Sequence, residues 1–180
     1  MSGRIAIFDL DGTLVDSDAA LVAPFLALGV DPDEISFGHV LADECDRLGI
    51  ELDAYLEAYD PSIAQPFAGV EAMLAGLDEW SVCSNKQPAS GRAELARLGW
   101  TPRLALFSDA FAGPKQLAPL LEHLGVDGDA VVFVGDTDHD RACAEVAGAP
   151  FLLAGWNPRV RPRRGDIVLD DPAEVADHLR

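Results

Sequence analysis

A chain of 180 residues, 49% of them hydrophobic, suits one domain with a real core and room for a small insertion. Its 31 acidic residues against 13 basic ones give a formal charge of -18, a field that repels nucleic acid and anionic membranes. No apolar run nears the roughly 18 residues of a membrane span, Asp9 and Asp11 interrupt any signal-peptide pattern, and Cys45, Cys83 and Cys143, an odd number without metal-like spacing, point to reduced thiols in a cytoplasmic protein.

Residues 5–8, IAIF, form a short β-favouring apolar block and predict a buried strand. The block ends on two carboxylates one residue apart, Asp9 and Asp11. Like charges that close repel unless a cation holds them or their proton affinities are driven apart. Gly12 and Thr13 then supply a tight turn and a hydroxyl. Residues 16–28 carry apolar positions at helical spacing, and residues 29–60 read as two more short amphipathic helices broken at Gly49. PSIAQPFAG is a Pro-rich joint.

From Gly69 the pattern alternates. Helices are predicted over 70–77, 88–98, 115–124 and 139–148, with strands at 81–83, 104–107, 130–136 and 151–155, and a last short strand and helix over 166–179. This rhythm predicts an α/β fold, a Rossmann-like doubly wound parallel sheet built from residues 1–15 and 69–180. Residues 16–68 interrupt it as a small all-helical cap inserted after the first strand.

Ligands of open parallel sheets bind beyond the carboxyl ends of the strands. The polar signals fall there: Asp9 and Asp11 after the first strand, Ser84, Asn85 and Lys86 after the second, and Asp136, Asp138 and Asp140 after VVFVG. Lys115 opens the predicted helix before that last strand. Such carboxylates suit a hard cation such as Mg2+, shared with a substrate phosphate. Thr13, Ser84 and exposed backbone N–H groups suit phosphoryl oxygens.

DLDGT, Ser-Asn after the second strand, a lone lysine, and GD followed by Asp140 together resemble the four motifs of the haloacid dehalogenase superfamily. GDTDHDRACAEVAGA and PFAGVEAML are most similar to its phosphoglycolate-phosphatase-like branch. The resemblance implies a Mg2+-dependent phosphomonoester hydrolase acting on a small phosphorylated metabolite. It makes Asp9 the nucleophile that forms an aspartyl-phosphate, and Asp11 the acid and then base. Mg2+ would be held by Asp9, the Asp11 backbone carbonyl and Asp136. Thr13, Ser84 and Asn85 would bind phosphoryl oxygens, Lys115 would neutralise them, and Asp140 would orient Lys115 or a metal-bound water.

An acid at Asp11 serves an alkoxide leaving group, not a halide, so dehalogenation is disfavoured. Residues 16–68 contain no lysine, which excludes a Schiff-base phosphonate hydrolase. The rivals kept are a phosphomutase of the beta-phosphoglucomutase type and a non-catalytic metal- and phosphate-binding module. A receiver domain is disfavoured, because its paired acids and acceptor lie on different strands. The cap is shorter than usual for this branch, which predicts incomplete cover of the site.

Other charged residues carry weaker signals. Lys86 either binds phosphate or caps its loop. Asp138 is read as helix N-terminal charge, His139 as a surface residue and His39 as packed or solvated. The dense acids of the cap, Glu44 and Asp46 among them, are read as a solvated face. Arg159, Arg161, Arg163 and Arg164 form the one dense positive cluster, either a solvated loop pairing with acids or a clamp for an anionic substrate.

Overall fold

The computed structural model describes residues 3–36 and 40–180, so the reading of His39 lies outside the described residues. A six-stranded, all-parallel sheet runs in the order β5 (Leu104–Leu106), β4 (Trp80–Cys83), β1 (Ile5–Phe8), β6 (Val131–Gly135), β7 (Phe151–Ala154), β8 (Ile167–Leu169). The chain moves outward from β1 through β4 and β5, then crosses back to β6. The strand order therefore reverses between β1 and β6, the place where such sheets open a ligand crevice.

Alternation along the central strands separates two cores. Ala6 and Phe8 of β1, with Val132 and Val134 of β6, face α4 (Val70–Ala75), α5 (Pro88–Leu98) and the C-terminal 3-10 turns Pro172–His178. Ile7 and Phe133 face α6 (Ala118–Leu124) and α7 (Asp138–Ala147). Buried on both faces, these strands read in sequence as continuous apolar runs.

The insertion holds α1 (Asp18–Ala27), α2 (Leu41–Leu48) and α3 (Leu52–Ala58) around a small core of Phe25, Cys45 and Tyr55. A two-stranded ribbon, β2 (Val15–Asp16) against β3 (Gln65–Pro66), ties its entry to its exit. Sequence reading gave only a Pro-rich joint here, because two residues per strand carry no periodic signal. The helix expected from Lys115 begins instead at Ala118. The Lys115 N–H donates to Asn85 Oδ1 at 2.6 Å, which holds that residue in the preceding loop.

Among the described residues, no helix is long and apolar enough to cross a membrane. Cys45, Cys83 and Cys143 are unbridged and buried.

Candidate active site

Asp9 leaves the end of β1 with its N–H bonded to the Val134 carbonyl of β6 at 2.9 Å, so the two strands fix its position jointly. Its Oδ1 accepts from Leu10 N–H at 2.8 Å and its Oδ2 lies 2.8 Å from Lys115 Nζ. Lys115 reaches on to Asp140 Oδ1 at 2.5 Å. Asp140 is fixed from below by the start of α7. Its Oδ2 accepts from Asp136 N–H at 3.1 Å and Thr137 N–H at 2.8 Å, while Thr137 Oγ1 accepts from Asp140 N–H, a reciprocal capping box.

Asp136 completes the group. Its Oδ1 accepts from Thr13 Oγ1 at 3.0 Å, and Asn157 Nδ2 lies 3.4 Å from its Oδ2. The Asp136 carboxylate fits against the turn because residue 12 is glycine. Gly12 sits at φ +74°, and a Cβ there would collide with the acid. One oxygen from each of Asp9, Asp136 and Asp140 falls within 4.8 Å of the others.

Three carboxylates around one ammonium leave an excess of negative charge in a dry place. Burial, reinforced by Asp140 and Asp9, pushes Asp136 up to about 8. Burial, set against Lys115 and reinforced by Asp140, pushes Asp9 up to about 6. Burial alone would lower Lys115, but Asp140 and Asp9 outweigh it and raise the ammonium's proton affinity. The missing charge is positive, the donors are all oxygen, and Asp140 is already engaged. Asp9 and Asp136 therefore fit a hard divalent cation.

Asp11 turns the other way. Its Oδ1 pairs with Lys86 Nζ at 2.7 Å, and Lys86 also lies 3.1 Å from Glu94 Oε1 of α5. Tyr59, just past α3, donates its hydroxyl to Glu94, and Lys86 sits over the Tyr59 ring. Lys86 is thus committed to a network that joins Asp11 to the helical insertion. Glu94 and Tyr59 were missed. A glutamate inside GRAELARL looks like any solvated helix residue.

Ser84 and Asn85 line the cavity together with Asp9, Asp11, Lys115 and Asp136. Ser84 Oγ accepts from Lys86 N–H at 3.3 Å. Thr13 requires a correction. It is fully buried, lies outside the cavity lining and spends its hydroxyl on Asp136, so it aims an acid instead of facing a phosphoryl group. The missed GWN stretch backs the same turn. Trp156 Nε1 donates to the Thr13 carbonyl and Asn157 Nδ2 to the Gly12 carbonyl, each at 2.8 Å.

The expectation of incomplete cover also changes. Asp9 and Lys115 are each only 6% exposed beneath the insertion. Glu44, expected on a solvated face, is 4% exposed and lines the cavity. Of the arginine cluster, Arg159 pairs with Asp16 and Asp18, and Arg163 with Asp138, which also meets Arg141. Arg161 lines a neighbouring groove beside Asp136 and Thr137. His139 lies in the same groove.

The sequence profile of the haloacid dehalogenase-like hydrolases matches residues 6–154. A phosphoglycolate phosphatase of Xylella fastidiosa is 34% identical, with 87% of this chain and 82% of that protein covered. An N-acetylmuramic acid 6-phosphate phosphatase of Pseudomonas aeruginosa is 25% identical, over 98% and 94%. A haloacid dehalogenase-like protein of Streptococcus pneumoniae shares the fold with a TM-score of 0.78 at 20% identity, covering 99% of both chains. CbbY of Rhodobacter sphaeroides, solved in complex with phosphate, does so with a TM-score of 0.75 at 19% identity, over 98% and 99%.

Proposed function

The chain belongs to the haloacid dehalogenase-like hydrolases, and on that footing we propose that it is a Mg2+-dependent phosphomonoesterase of small phosphorylated metabolites that works through an aspartyl-phosphate on Asp9. The observation that supports this most is the convergence of Asp9, Asp136, Asp140 and Lys115 where the strand order reverses.

An Asp9 oxygen attacks phosphorus and the bond to the ester oxygen breaks. Asp11 gives its proton to the departing alkoxide, and its carboxylate then takes one from the water that attacks the acyl phosphate. Inorganic phosphate leaves and Asp9 is restored. Ser84, Asn85 and the Lys115 ammonium receive the phosphoryl oxygens. Thr13 and Asn157 hold Asp136, and Asp140 holds Lys115. Asp9 and Asp136, with the Asp11 carbonyl, would hold Mg2+, which supplies charge neutralisation for a phosphate dianion approaching several acids. The residues 16–68 act as the cap and residues 1–15 and 69–180 as the catalytic core, in a reducing, cytoplasmic setting consistent with three unbridged cysteines.

Phosphate release from p-nitrophenyl phosphate tests the proposal. Release by the wild type should require Mg2+, stop in EDTA and fall by at least ~10^3-fold in Asp9→Asn. Consumption of phosphate esters without phosphate release would point to a mutase. Mg2+ binding with no turnover on a broad phosphate panel would point to a binding module.

A further inference from the structure

The cavity over Asp9 encloses about 120 Å³, of the order of the roughly 150 Å³ that admits a benzene-sized molecule. Its upper wall is apolar at Leu21, Phe25 and Tyr55 and polar at Asp18, Ser36 and Glu44. Among the described residues the cations lining it are Lys86, held by Asp11 and Glu94, and Lys115, held by Asp9 and Asp140 and assigned above to the phosphoryl group.

The two wall acids share one arrangement. Glu44 accepts Ser36 N–H at 2.7 Å and Ser36 Oγ at 2.9 Å, and Arg47 grips both its oxygens. Hydrogen bonding from Arg47, with help from Ser36, holds its carboxyl down at about 2 despite burial. Asp18 Oδ2 lies 2.7 Å from Arg159 Nε. Neither Arg47 nor Arg159 lines the cavity. Each pair presents its carboxylate inward and keeps its guanidinium outside.

We propose that this site selects phosphate monoesters whose alcohol is short and carries no second negative charge, with Glu44 and Asp18 the residues that turn a carboxylate away. This inference rests on the phosphatase reading above. A carboxylate entering here would be desolvated against acids and would find no unclaimed cation among the described residues. A hydroxyl or an ammonium meets the opposite situation. Among the described residues Glu44 Oε2 accepts one hydrogen bond, from Arg47 Nε, which leaves a lone pair for a donor on the substrate. The apolar wall receives the carbon chain.

The decisive probes are 2-phosphoglycolate and 2-hydroxyethyl phosphate, which differ by a carboxylate against a hydroxymethyl group. Each is assayed for kcat/KM and as a competitor of p-nitrophenyl phosphate, at fixed ionic strength with Mg2+. The uncharged alcohol should win by at least ~tenfold in either measure. Glu44→Gln and Asp18→Asn should each narrow that gap several-fold, through KM more than kcat. The wild-type comparison stands even if one variant misfolds. Equal or better handling of 2-phosphoglycolate by the wild type would overturn the inference and leave the phosphatase reading intact. If Arg161→Ala then abolished that preference, the neighbouring groove would be the carboxylate's seat. No turnover of any ester, p-nitrophenyl phosphate included, would remove both readings together.

Discussion

The floor and the roof of the cavity both set acids against cations, with opposite outcomes. On the floor, Asp9 and Asp140 share the buried ammonium of Lys115 beside Asp136, and the shortfall of positive charge stays inside. In the roof, Glu44 pairs with Arg47 and Asp18 with Arg159, which it shares with Asp16, and the two arginine side chains are 49% and 43% exposed. The floor is a shared, buried charge cluster. The roof is two separate ion-paired groups, each built on one half-exposed arginine. Removing one group should therefore disturb the whole floor, and in the roof only the contacts of its own arginine.

The largest effect expected is from Lys115→Met. It leaves buried carboxylates without their shared partner, a loss on the order of 3–5 kcal/mol by denaturant unfolding at pH 8 in EDTA. Activity should be lost as well. A loss below ~1 kcal/mol would mean that the floor acids neutralise themselves by taking up protons, and that Lys115 holds them less firmly than the geometry indicates.

The next effect concerns pH. Asp9, at about 6, and Asp136, at about 8, sit above the ordinary aspartate value of 3.8. Between those values the folded state binds more protons than the unfolded state, so stability falls as pH rises from about 4 toward 8. Counting only the smaller displacement, that of Asp9, the fall is on the order of 3 kcal/mol. Thermal melting in EDTA should show it, and saturating Mg2+ should flatten it. Glu44 has the reverse sign. Held at about 2 against an ordinary 4.5, its contribution is complete above about 4.5 and is lost as pH falls toward 2. A flat EDTA profile from pH 4 to 8 would remove the charge shortfall that distinguishes floor from roof.

The same contrast explains what could be read from sequence. The floor was legible because its acids sit directly after continuous apolar runs, such as VVFVG before Asp136, and a parallel sheet brings all strand ends to one edge. Local sequence therefore carried global placement. Thr13 was placed correctly in the chain but not in direction, since its hydroxyl depends on Asp136, 123 residues away. The start of α6 was misplaced for a similar reason, because a side chain from another loop, Asn85, captures the Lys115 N–H. The roof offered less. Glu44 lies in the acid-rich stretch ADECDR, where only tertiary contact with Ser36 and Arg47 distinguishes it from its exposed neighbour Asp46. Asp18, Glu94 and Asn157 likewise take their roles from partners that no spacing rule reveals.

The smallest expected effect tests the seam between the two regions. Arg159 leaves the loop after β7, on the floor side, and pairs with Asp16 of the ribbon and Asp18 at the start of α1. It is the one member of the arginine cluster that spans from core to insertion by ion pairs among the described residues. Both partners are partly exposed, at 50% and 33%, so water and salt weaken the attraction. Arg159→Ala should cost no more than ~1 kcal/mol in denaturant unfolding at low salt, and the cost should vanish at 0.5 M NaCl, roughly where the screening length falls below the reach of an exposed pair. A loss well above that, or one indifferent to salt, would mean that the seam is rigid and charge-coupled like the floor. The roof would then belong to the shared cluster, and substitutions in it would spread to Asp9.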